Sequence, residues 1–255
     1  MVNGLDNFKE YFKQYPGNYV IIGGTACDII IGEAGFTPRA TRDIDIILVV
    51  EALNADFVKQ FWKFIQDGNY EQKEKSADER KYYRFMKPEN KEFPYQIELF
   101  SRNPDLIELD ALSHLTPIPV DDDLSSLSAI LLSNDYYKYI LQHSVLENEL
   151  HRANTEALIC LKAKAFLDMT ERKVKGENIE VKNIRKHKAD IFRLAVTLTE
   201  SDVFELPKSI KTHMQSFVNA IANDLPGKDI FRQMGLPNMD VIRVFNQLKT
   251  SFDLK

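Results

Sequence analysis

Tyr19-Val20-Ile21-Ile22 is an apolar run of strand length that ends in two glycines, Gly23 and Gly24. The residues that follow, up to Gly35, carry a helical pattern with no connecting loop. A strand that passes straight into a helix through a diglycine sets backbone N–H groups at a helix N-terminus, where no side chain keeps a ligand away and an anion is favoured. The next apolar stretch, Thr41-Arg42-Asp43-Ile44-Asp45-Ile46-Ile47-Leu48, reads as a second strand. Side chains alternate along a strand, so Asp43 and Asp45 share one face while Ile44 and Ile46 share the other.

The remaining pattern predicts an α/β (α+β) chain: a mixed-sheet domain over residues 1–133 and a helical domain over 134–255. Leu5, Phe8 and Phe12 mark a short amphipathic helix. Phe57, Phe61 and Ile65 mark another, closed by Gly68. KYYRFMK and FPYQIELFS read as strands, and TPIPV and LSSLSAILL as further short extended pieces. From Asp135 the pattern turns helical, with Asn154 or Thr155 capping a long helix. A polar linker surrounds Gly176, KHKADIFRLAVTL forms the next helix, and two or three more follow.

Two acids on one strand face repel one another and call for a cation. Mg²⁺, or Mn²⁺, suits them: it takes a few carboxylates plus phosphate oxygens, and two such ions can clamp a phosphoryl or nucleotidyl transfer. A third carboxylate is expected, and Glu98 is the candidate, since Gln96 and Glu98 alternate with apolar Tyr95, Ile97 and Leu99. Each piece also has a plain reading: a common turn, an edge strand with gatekeeper charges, a surface acid. Their order along the chain favours the chemical reading.

Composition excludes other classes. No apolar run approaches the ~20 residues of a membrane span, and the N-terminus carries charges and aromatics where a signal peptide would be apolar, so a cytoplasmic protein is expected. Cys27 and Cys160 suit buried thiols, and the five histidines show no metal-ligand spacing. The net charge of −5 divides unevenly. Residues 1–133 hold 14 Lys and Arg against 22 Asp and Glu, and residues 134–255 hold 19 against 16. Between 162 and 193 the count is 10 against 5, which a triphosphate or RNA could use, although a solvated helix face gives the same count.

The stretch from Val20 to Asp45 resembles the signature of the nucleotidyltransferase superfamily. With Gly23-Gly24-Thr25-Ala26 and Thr41-Arg42-Asp43-Ile44-Asp45, it is similar to the branch of AbiEii-type abortive-infection toxins. The later helices resemble that branch through Lys162-Ala163-Lys164-Ala165-Phe166-Leu167 and through Lys188-Ala189-Asp190-Ile191-Phe192, with Arg193 where the family has a further Asp. The last 60 residues match nothing in it. Taken alone, Lys162 lies among Leu158, Ile159, Ala165 and Phe166, and either snorkels or points at a buried anion.

The resemblance implies a metal-dependent transfer of a nucleotide from an NTP to a hydroxyl on RNA, a protein or a small molecule. Asp43, Asp45 and Glu98 would hold two metal ions and carry the chemistry, and Gly23, Gly24, Thr25, Arg42, Lys162 and Asp190 would bind the nucleotide. It also implies a toxin role with a cognate antitoxin as partner. Two rivals stand beside it: a silent nucleotide- or protein-binding module of the same fold, and an ordinary α/β interaction protein whose acids are surface charge.

Overall fold

The computed structural model describes residues 2–71, 82–100, 130 and 133–255. It is an α/β fold with a mixed sheet of strand order β3-β4-β2-β1-β6-β5. The chain forms two compact units that interleave along the sequence, one from Met1–Ala26, Ala40–Val120 and Ser144–Ala153, the other from Cys27–Arg39, Asp121–His143 and Asn154–Lys255. The sequence reading instead places a single cut at residue 133. The expected extended pieces TPIPV and LSSLSAILL lie outside the described residues apart from Ile130.

The first unit is the sheet and the helices on its apolar face. β1 (Tyr19–Ile22) pairs antiparallel with β2 (Asp43–Leu48), and β2 pairs parallel with β4 (Gln96–Phe100). β3 (Tyr82–Met86) closes one side antiparallel to β4. On the other side β6 (Leu150–Ala153) runs parallel to β1 and antiparallel to β5 (Ser144–Glu147). This last hairpin departs from the helical pattern expected after Asp135. Its turn residues Asn148 and Glu149 both have positive φ, 50° and 64°, the twist a two-residue hairpin turn requires.

Helices α1 (Leu5–Phe12) and α3 (Ala55–Gly68) form where the apolar spacing places them. Phe8, Phe12, Phe57, Phe61 and Phe64 interlock, with Phe8 edge-on to Tyr19 of β1 at 5.3 Å and Phe61 edge-on to Phe85 of β3 at 5.6 Å. Tyr19, Ile21, Ile44, Ile46, Ile97 and Phe85 alternate with the acidic positions, so this aromatic layer covers the face away from Asp43 and Asp45. Asn54 caps α3 by accepting from Phe57 N at 2.9 Å. The left-handed residue that ends it is Asn69, one beyond the expected Gly68.

The second unit is helical. α2 (Gly23–Glu33) starts at the diglycine, and its turns from Cys27 onward belong here. α4 (Asn134–Gln142) and α5 (Thr155–Val174) follow. α5 is buried nearly all round in its first half, which marks it as the central helix. Asn154 takes its N-cap position without accepting a backbone N–H. α6 (Val181–Ala195) and α7 (Lys208–Ile221) pack on α5, and α8 (Asp229–Gln233) and α9 (Val241–Ser251) pack on α6. Phe166 meets Phe217 edge-on at 5.2 Å, and Phe192 stacks on Phe245. Cys27 and Cys160 are buried free thiols. No helix among the described residues is long and apolar enough to cross a membrane.

Candidate functional site

β2 and β4 are in register with Asp43 beside Gln96 and Asp45 beside Glu98. Partner positions in a parallel pair point to the same side, so Asp43, Asp45 and Glu98 share a sheet face. Asp43 and Asp45 are part-buried. Gly23 comes up against this row from the end of β1. Its φ is 67°, and a Cβ there would overlap the Asp45 carboxylate. Only glycine allows that backbone turn together with that approach. Gly24 is buried in the first turn of α2. The Thr25 hydroxyl donates to the backbone carbonyl of Asp43 and is fully buried, so its one proton fixes the start of α2 to the start of β2. Arg42 is exposed, one residue before the strand.

Glu98 stands beside Asp45 in the register and is engaged through one of its oxygens. Its Oε1 accepts from Arg84 Nε at 2.8 Å and from Gln96 Nε2 at 2.7 Å, and lies 2.6 Å from Arg84 Nη2. Among the described residues no group of three or more His, Cys, Asp and Glu side chains is placed to hold a metal ion together. The three acids share a face, and Oε1 of Glu98 is turned to the Arg84 guanidinium. Asp43 and Asp45 carry the oxygen donors that a hard divalent cation would take, and Gly23 leaves room for the Asp45 carboxylate. Arg84 escaped the sequence reading, although a lone charge between aromatic Tyr83 and Phe85 on a strand is a usable signal.

The second unit holds a separate buried cluster. Lys162 Nζ is 2.9 Å from Asp190 Oδ2, and the lysine is 5% exposed. Lys162 is buried rather than snorkelling, and the anion beside it is Asp190. Arg39 Nε and Arg193 Nη1 reach Asp190 Oδ1 at 3.0 and 3.1 Å. Arg193, the departure from the family pattern, thus adds a third cation, and its other amine reaches Gln233 Oε1 at 3.1 Å.

Burial alone would raise the Asp190 carboxyl, but Lys162 and Arg39, then Arg193, outweigh it and hold it well below the usual carboxylate range. For Lys162 burial works toward the neutral amine, and Asp190 overcomes it and raises the group. Asp28, one turn into α2, is pushed up to about 6 by burial, with Arg39 opposing. Its Oδ1 is buried without a hydrogen-bond partner. Cys27 beside it is pushed up to about 11 by burial. Asp28 was legible as a lone charge in an apolar helix. Arg39, in a loop, carried no such signal.

No family model and no curated protein matches the chain. A crystal structure described as an antigenic nucleotidyltransferase-like protein from Paracoccidioides brasiliensis is similar at a TM-score of 0.39. It has 16% sequence identity, and the match covers 89% of this chain and 97% of that one. At that level the likeness decides nothing about chemistry.

Proposed function

We propose that the chain is a metal-dependent nucleotidyltransferase that moves a nucleotide from an NTP to a hydroxyl acceptor on RNA, a protein or a small molecule. The observation that carries this reading is the close fit of Gly23 to Asp45, with Asp43 on the same face. A glycine that a carboxylate presses against, at the start of a helix, brings anion-favouring N–H groups and a cation-favouring acid pair to one place. Bound there, Mg²⁺ would offset negative charge on the leaving pyrophosphate. Asp43 and Asp45 would hold it. Gly23, Gly24 and the first turn of α2 would receive phosphate oxygens, Thr25 would keep α2 and β2 in register, and exposed Arg42 would add positive charge nearby. Glu98 is the candidate base toward the acceptor hydroxyl, once free of Arg84.

In the second unit, Lys162, Arg39 and Arg193 outnumber Asp190 and Asp28, a surplus that suits a triphosphate. We assign Lys162 and Asp190 to nucleotide binding on that ground. An antitoxin partner, RNA as acceptor and a toxin role rest on the AbiEii-type sequence resemblance alone.

One observation favours a second reading, a nucleotide-binding module without catalysis: Glu98 is already engaged by Arg84 and Gln96. Incubation with each α-labelled NTP, Mg²⁺ and total RNA or lysate separates the two. Transfer of label to any component supports the enzyme. Mg²⁺-dependent NTP binding with no labelled product supports the module.

A further inference from the structure

The basic cluster lies wholly within the helical unit: Asp28 on α2, Arg39 in the loop after it, Lys162 on α5, and Asp190 and Arg193 on α6. Asp190 is saturated. Its Oδ1 accepts from Arg39 Nε at 3.0 Å and Arg193 Nη1 at 3.1 Å, and its Oδ2 from Lys162 Nζ at 2.9 Å and Arg39 Nη2 at 3.4 Å. Four donors fill the lone pairs of one carboxylate, so Asp190 has nothing left for a ligand. The cations are not filled in turn. Lys162 is 5% exposed, and among the described residues its three ammonium protons have one acceptor, Asp190. Among the same residues Arg39 donates through Nε and Nη2 alone, and its side chain is the most exposed of the five, at 23%. Asp28 has the opposite lack: it is 7% exposed, and its Oδ1 is buried and accepts nothing. It lies in the field of Arg39, Asp190 and Lys162. Buried polar groups without partners are rare and call for one. The cluster thus holds unspent donors and an unspent acceptor together.

We propose that Arg39, Lys162 and Asp28 form a site for a phosphate group that still carries a proton: hydrogen phosphate, or the terminal group of a mono- or oligophosphate. Arg39 and Lys162 donate to its ionised oxygens, and Asp28 accepts its remaining P–O–H. Asp190 and Arg193 are positioning residues. Asp190 holds both cations, and Arg193, whose other amine reaches Gln233 Oε1 at 3.1 Å, holds Asp190. The site rests on the assignment of Lys162 to nucleotide binding and narrows it to a terminal phosphate. It needs no metal at Asp43 and Asp45. A cluster built for packing alone would pair its two carboxylates alike, whereas here one takes four donors and the other none. Burial lifts the Asp28 carboxyl to about 6, with Arg39 opposing. Above that pH it is a charged acceptor, and it repels an anion that brings it no proton. Sulfate is such an anion: it matches hydrogen phosphate in shape and charge and lacks the proton.

The test measures binding of inorganic phosphate and of sulfate to the full chain by isothermal titration calorimetry, without divalent ions. The buffer is held at about pH 8, where Asp28 is ionised. Wild type is expected to bind phosphate more tightly than sulfate by about tenfold or more, because only phosphate satisfies the buried acceptor. Asp28→Asn keeps the shape and removes the charge, and is expected to bind the two anions alike. Arg39→Gln is expected to lose about tenfold toward both. Circular dichroism checks that each variant is folded. If Arg39→Gln is not, Arg39→Lys replaces it: the charge stays, the fork is lost, and both anions should bind more weakly than to wild type. Asp43→Asn/Asp45→Asn should bind both as wild type does. Equal affinity of wild type for the two anions, or a preference for phosphate that survives in Asp28→Asn, overturns Asp28 as the acceptor. No phosphate on wild type, or binding that the arginine variant leaves unchanged, overturns the site and leaves transfer at Asp43 and Asp45 standing. Loss of phosphate binding in Asp43→Asn/Asp45→Asn overturns it too, by placing the anion on the sheet face.

Discussion

On the sheet face of the first unit, Asp43, Asp45 and Glu98 stand on neighbouring strands, and Arg84 pairs with Glu98. In the helical unit, Lys162, Arg39 and Arg193 surround Asp190, with Asp28 in their field. Both clusters bury strong ion pairs, yet the residues named differ in balance, three acids to one base on the sheet face and three bases to two acids in the helical unit. Where acids outnumber bases, a cation completes the balance; where bases outnumber acids, an anion does. The lesson lies in the surplus, since buried pairs by themselves say little about stability or purpose.

The largest expected effect comes from the basic cluster. Asp190→Ala leaves buried Lys162 and Arg193 and part-buried Arg39 without their shared carboxylate, and should cost about 3–5 kcal/mol in chemical denaturation. A loss under about 1 kcal/mol would mean the cluster is solvated and the comparison fails on that side.

Next comes the acid face. Asp43→Asn/Asp45→Asn should leave the fold without ligand intact or slightly more stable, because it removes a like-charge repulsion. Wild type with Mg²⁺ and NTP at a hundredfold excess over the dissociation constant should gain about 2.7 kcal/mol, and the double variant nothing. Equal thermal shifts in the two proteins would remove the Asp pair from the metal site.

Gly23→Ala should cost about 1–3 kcal/mol, for the positive φ and the overlap with Asp45 together. Thermal unfolding measures the cost. Loss of the Mg²⁺-dependent shift in the same variant would show that the carboxylate has been displaced. A variant as stable and as responsive as wild type would mean the close approach is unimportant.

The smallest effect concerns Asp28. Its folded pKa, about 6, lies above the ordinary aspartate value, so its contribution to stability is full below about pH 4 and is lost as pH rises through 6. Asp28→Asn should therefore gain on wild type between pH 4 and 7, by an amount on the order of 1 kcal/mol. A constant difference across that range would mean the carboxyl titrates normally.

What could be read from the sequence was local. The alternation in Asp43-Ile44-Asp45 and in Gln96-Ile97-Glu98 fixed which side chains share a face, and the apolar spacing of Phe8, Phe12, Phe57 and Phe61 placed the helices that cover the other. Register could not be read, because long-range pairing decides it: the sequence does not say that Asp45 stands beside Glu98, nor that Arg84 lies across from it. The β5–β6 hairpin was hidden for a different reason. Its turn is Asn148-Glu149, and glutamate at positive φ gives none of the signal that Asn-Gly would. Arg39 and Asp190 are far apart in the chain, so their pairing left no trace in local pattern.

The central claim, nucleotidyl transfer at Asp43 and Asp45, is tested most directly by following the two ends of the triphosphate. The protein is incubated with Mg²⁺, total RNA or lysate, and one NTP labelled at either the α- or the γ-phosphate, alongside the Asp45→Asn variant. The account predicts that α-label becomes covalently attached to an acceptor, that γ-label leaves as pyrophosphate, and that Asp45→Asn does neither. Attachment of γ-label, or equal incorporation of α-label by wild type and Asp45→Asn, would contradict it.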